Sequence, residues 1–132
     1  MTDAIITKLQ QVTEGLLFMS ESESPLVPFC WKSDGQPLTP AKLLQLAGHP
    51  ADAPVQAVNV DEFFATAIAS EDWHDEEERA TVHRFRQLLE TLKQNLKQIQ
   101  VWKVGARSID AYIVGVTPAG DWAGLMVQVV ET

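Results

Sequence analysis

The run "QVWKVGARSIDAYIVGVTPAGDWAGLMVQVV" constrains this chain more than any other stretch. It holds three strand-like segments, residues 100–104, 109–116 and 122–130, separated by Gly105 and by "TPAGD". Both connections are short enough for hairpins, so the three strands form an antiparallel meander. Apolar residues fall on both sides of it. Ile109, Ala111 and Ile113 point one way, and Tyr112, Val114 and Val116 the other. A sheet with one wet face alternates apolar with polar more cleanly. Both faces therefore need cover, and helices must supply it. The expected architecture is α+β: an α/β/α sandwich around a mainly antiparallel sheet, with residues 1–132 as one domain.

The rest of the chain contains the required helices. Val82, Phe85, Leu89, Leu92, Leu96 and Ile99 recur at alternating spacings of three and four, the strongest helical period in the sequence. This predicts a long helix from Asp72 or Asp75 to Gln98, with Asp75, Glu76, Glu77 and Glu78 at its start and Lys93 and Lys97 near its end. Both charge groups match the helix macrodipole. Ile5, Leu9, Val12 and Leu16 share a face in a first helix over residues 3–14, with Asp3 at its start and Gly15 as a left-handed stop. Thr39-Pro40 opens another helix, closed by Gly48 and Pro50. Asp61 is the expected cap of a brief helix through "EFFATAIA". "LVPFCW" reads as a short strand in which Pro28 requires an edge or a bulge, because it has no N–H to donate. "VQAVNV" is a further extended segment. "LLFM" dives inward before a polar loop, and Pro25 biases Ser24 toward extended backbone.

Charge and motifs narrow the function classes. The net charge is −8, from 18 acids against 10 bases. That balance opposes direct binding of a phosphate backbone and favours steering toward a basic partner. No apolar run has membrane-span length and no secretory leader is visible, so a cytoplasmic protein is expected. The single cysteine, Cys30, reads as a small buried hydrophobe. In "WHDEEERATVH", His74 and His83 stand nine residues apart, half a turn out of phase on a helix, so they cannot share a metal there. His49 and Asp52 have no serine or cysteine partner at a recognisable spacing. No phosphate-binding glycine loop is present, and the four tryptophans lack the basic neighbours of a stacking platform. No enzyme is expected. An enzyme built on His49, His74 or the acids would need those groups to converge in one pocket.

Two stretches remain. "SESES" places Glu21 and Glu23 in a loop directly after a buried segment, and the sequence closes on "VVET", with Glu131 and Thr132 following a strand. Both carry hard oxygens, the ligand type that suits Mg²⁺. The bland alternatives are a polar turn and a strand that uses every residue.

"GLLFMSESE" with the following proline, "GHPADAP", "EDW" before the acid run, "NLK" before "QVW", "TPAG" and "VVET" together resemble the nuclease A inhibitor family of cyanobacteria, in order from about Gly15 to Thr132. That resemblance implies an α/β/α sandwich and an inhibitor of a sugar-nonspecific, Mg²⁺-dependent nuclease that cuts DNA and RNA. It implies that the tail blocks the catalytic site, with Thr132 reaching the partner's magnesium in the complex. Glu21 is the loop glutamate that takes part and a second candidate oxygen toward that ion. Glu23 and Glu131 are neighbouring candidates for partner contact. The inhibitor itself carries no cofactor and is expected to be a monomer when free. Its partner is a nuclease with an electropositive active site; nucleic acid and membrane are not direct partners. The alternative is an interaction or regulatory module with this fold and no nuclease partner, because fold does not fix function. Whether the acids of residues 71–78 touch the partner stays open.

Overall fold

The computed structural model describes residues 2–19, 23–32, 38–65, 68, 75–106, 108–118 and 120–130. In chain order the elements are α1 (Thr2–Thr13), β1 (Leu17–Met19), β2 (Glu23–Pro25), β3 (Val27–Trp31), α2 (Pro40–Ala47), β4 (Val55–Val58), α3 (Val60–Phe64), α4 (Glu76–Asn95), β5 (Lys97–Val104), β6 (Ser108–Val116) and β7 (Trp122–Val130). Five strands form one sheet in the order β3-β7-β6-β5-β4, every neighbour antiparallel. β1 and β2 form a separate two-stranded hairpin. Among the described residues no helix is long and apolar enough to cross a membrane.

The two faces of β6 sort as its alternation requires. Ile109, Ala111 and Ile113 pack into a core with Leu9 of α1, Phe64 of α3 and Phe85, Leu88 and Leu92 of α4. Tyr112 and Val114 belong to a second cluster with Leu43 and Leu44 of α2 and Trp122 of β7. Helices thus cover both faces. Each fully buried large apolar side chain contributes about 1.5–3 kcal/mol, so neither layer is dispensable. β3 lies at a sheet edge, which is where Pro28 can be accommodated. β4, over the expected extended segment, is the other edge.

The capping signals read well where they are local. Thr39 Oγ1 accepts from the Lys42 N–H at 3.2 Å, and Gly48 ends α2 at φ +79. Gly15 likewise has positive φ, +71, just after α1. α1 starts at Thr2, which places Asp3 inside the first turn rather than at a cap. The expected cap of α3 is corrected. Asn59, not Asp61, is the N-cap, and its Oδ1 accepts from the Asp61 N–H at 2.8 Å. Asp61 instead turns its carboxylate to Lys93 of α4, 2.6 Å away. α3 ends at Phe64, and most of its expected continuation lies outside the described residues.

α4 begins at Glu76, in line with the later of its two expected starts, and Asp75 is its N-cap, with the Glu78 N–H donating to Asp75 Oδ1 at 2.8 Å. It ends at Asn95 rather than Gln98. Leu96 takes extended backbone, and Gln98 adopts φ +53 where the β5–β6 register shifts between Lys97 and Gln100. The apolar period crosses this boundary because Leu96 stays buried after it leaves the helix. Periodicity alone therefore overran the end.

Candidate functional site

Glu21, Glu131 and Thr132 lie outside the described residues, and the same holds for His74 and the acids of residues 71–74. Glu23 opens β2, paired with Met19. What the structure defines is the framework on either side of these positions.

The framework of the acidic segment is the β1–β2 hairpin, which places Glu23 in a strand rather than in the expected loop. Its register is Leu17↔Pro25, Phe18↔Ser24 and Met19↔Glu23. Leu16 and Phe18 are buried while Leu17 is 42% exposed, the alternation of a strand. Phe18 fixes the hairpin to the core. Its ring stacks on Phe63 at 4.9 Å and meets Phe64 and Phe85 edge-on at 6.0 and 6.2 Å. Such aromatic pairs add about 0.5–1.5 kcal/mol each beyond burial. Just upstream, Arg84 of α4 donates to the Glu14 carbonyl at 2.5 Å, satisfying an end of α1 that intrahelical bonds leave open. Phe18, three residues before Glu21 in the chain, thus anchors the base of the hairpin.

The framework of the tail is β7. It pairs with β6 along its whole length, from Val116↔Trp122 to Ser108↔Val130. On its other side β3 covers it only from Trp31↔Trp122 to Val27↔Met126. Beyond Met126 the hairpin takes over. β2 lies against β7, and Ser24 Oγ accepts from the Gln128 N–H at 3.1 Å. The structure therefore brings together the supports of the two acidic segments. Two extended residues span about 7 Å, which bounds how far Thr132 can lie from the paired Val130.

The His49 imidazole reaches two residues of β6. It sits over the second face of the sheet, with Nε2 2.8 Å from the Tyr112 hydroxyl and 3.3 Å from Asp110 Oδ2. Asp110 stands opposite Gln128 in the ladder, so this cluster clamps the "GHPADAP" loop beside the tail strand. Among the described residues no three His, Cys, Asp or Glu side chains form a metal cluster.

The Tyr112 hydroxyl is pushed up to about 12, first by burial and then by the Asp110 carboxylate. In the unfolded chain it ionises near 10. Between pH 10 and about 12 the folded state therefore holds a proton that the unfolded state has lost, and stability falls as pH rises through that window. One pKa unit corresponds to about 1.4 kcal/mol, so the loss should be of order 1 kcal/mol. Tyr112→Phe should remove this component. Denaturant titrations at about pH 9 and about pH 11 check it; an equal alkaline drop in the Phe variant would refute the assignment.

Two contributors escaped sequence reading, Ser24 and Phe18. Their signal was the alternation of Leu16, Leu17 and Phe18 and the extended bias from Pro25, spread over strands of only three residues each. No curated protein matches the sequence. The sequence pattern of the family described as nuclease A inhibitor-like protein matches residues 3–132.

Proposed function

The chain belongs to the nuclease A inhibitor-like family, and from that premise we propose that it inhibits a sugar-nonspecific, Mg²⁺-dependent nuclease by filling its catalytic cleft. Glu131 and Thr132 enter the cleft from the end of β7, and Glu21 approaches from the hairpin beside it. Their oxygens stand in for the phosphate oxygens of the substrate. Thr132 reaches toward the metal that the nuclease holds, with Glu21 as a further oxygen on the same side. Glu23 contacts the partner at the rim. The cleft is electropositive because it binds phosphate, so the inhibitor's net charge of −8 speeds association.

One observation carries this reading. β7 is ladder-paired through Val130, and the base of the acidic hairpin lies against the same strand. Segments held on a sheet lose little freedom when they bind, which keeps the ordering penalty of association small. No resident cofactor and no chemistry by this chain are required.

The test is a titration of the purified protein against such a nuclease with Mg²⁺ present. Cleavage should fall in proportion to inhibitor added and vanish near one equivalent. Association should slow as salt rises. Full cleavage at a large excess of the protein would leave the interaction-module reading in its place.

A further inference from the structure

We infer that Ser24 is a positioning residue that sets the spacing between the two acidic segments and so governs inhibition without touching the partner. This rests on the proposed inhibitor function. Met126 is the last residue of β7 paired with β3, so that strand offers no ladder acceptor to the Gln128 N–H. Ser24 Oγ supplies one at 3.1 Å. Its own proton faces the Pro25 carbonyl at 3.4 Å, so the hydroxyl both accepts and donates. Loss of this acceptor would take from the Gln128 N–H its bond to the hairpin, and Ser24 itself is only 6% exposed.

The other buried serine and threonine hydroxyls among the described residues do local work. Thr13 bonds back to Leu9 within α1, and Thr117 accepts from Asp121 within its turn. Ser24 instead bridges residues 104 apart. It also stands opposite Phe18, whose ring is fixed among Phe63, Phe64 and Phe85. The core thereby determines where the hydroxyl sits, and the hydroxyl determines where β7 lies relative to the hairpin. Ser24 follows Glu21 by three residues and Gln128 precedes Thr132 by four, so the latch is close to both segments.

The test compares Ser24→Ala, Ser24→Thr, Glu21→Ala and the Ser24→Ala/Glu21→Ala double variant in the nuclease titration. Ser24→Ala should weaken inhibition roughly tenfold, the scale of one lost hydrogen bond. Ser24→Thr keeps the hydroxyl and should recover inhibition to within about threefold of the unsubstituted protein. If Ser24 acts through the placement of Glu21, adding Ser24→Ala to Glu21→Ala should cost less than about threefold more. The Gln128 amide should exchange with solvent about tenfold faster in Ser24→Ala, while amides of β5 stay unchanged. Equal losses in both backgrounds, or an unchanged Gln128 amide, would overturn the inference. If the unsubstituted protein fails to inhibit, the inhibitor function and this role for Ser24 fall together. The amide measurement then separates that failure from absence of the latch itself.

Discussion

Removal of Thr132 is expected to weaken nuclease inhibition by about 10²–10³-fold, the scale of losing a central interface hot spot. The proposed contact combines metal, hydroxyl and carboxylate oxygens in a desolvated cleft, where charge-assisted contacts are strongest. The same deletion should leave stability almost untouched, within about 0.5 kcal/mol, as expected of a residue that acts only in the complex. β7 keeps its ladder through Val130 and its bond to Ser24. Glu21→Ala should follow the same pattern with a smaller loss, about tenfold, since it removes one oxygen from a site with several. Two measurements are needed together: an inhibition constant at fixed salt and a thermal melt. An unchanged inhibition constant after the deletion would eliminate the plug. A large fall in melting temperature would mean that the tail has a structural role as well.

How much of this could be read from residues depended on whether the signal was local. The two-faced apolar pattern of β6 dictated a covered sheet, and Ile113 and Val114 do lie in separate cores. Thr39 and Gly48 bound α2 because capping is settled within a few residues. Asn59 and Asp61 are both good caps two positions apart, and the choice between them is made by Lys93, 32 residues further on. The β1–β2 hairpin was missed because each strand is three residues long, too short for a period to show. The Ser24–Gln128 bond has no local signature, since its partners meet only after the sheet has formed. The same is true of His49, whose partner is Asp110 on β6 rather than the nearby Asp52. The acidic candidates rest on the resemblance, whereas the anchors Phe18 and Ser24 emerge only from the folded chain.

Gly124 should be the position where the smallest change does the greatest damage to the fold. It lies in β7 opposite Val114 on one side and Phe29 on the other, so ladders constrain it from both directions. A Cβ added there would overlap the backbone carbonyl oxygen of Ile113. A side chain in its path could rotate away, but a carbonyl held in a ladder can move only with its strand. Gly124→Ala is therefore expected to cost about 3 kcal/mol or more, a large share of the roughly 5–15 kcal/mol that holds a domain together. Gly115→Ala provides a graded comparison. Its Cβ would meet Leu96 Cβ at 2.6 Å, Ile99 Cγ1 at 3.0 Å and the Lys97 carbonyl oxygen at 3.1 Å, too close but less severe than the overlap at Gly124. Gly15→Ala meets nothing within 4 Å, leaving only the cost of its positive φ, about 1–2 kcal/mol. Urea denaturation should rank the three in that order, and a Gly124→Ala protein as stable as the parent would refute the account. Inhibition by Gly124→Ala should decline in step with the folded fraction, because β7 can present residues 131–132 only while its ladders hold. Loss of inhibition that tracks unfolding here, and loss without unfolding after removal of Thr132, would separate the strand that carries the contact from the residue that makes it.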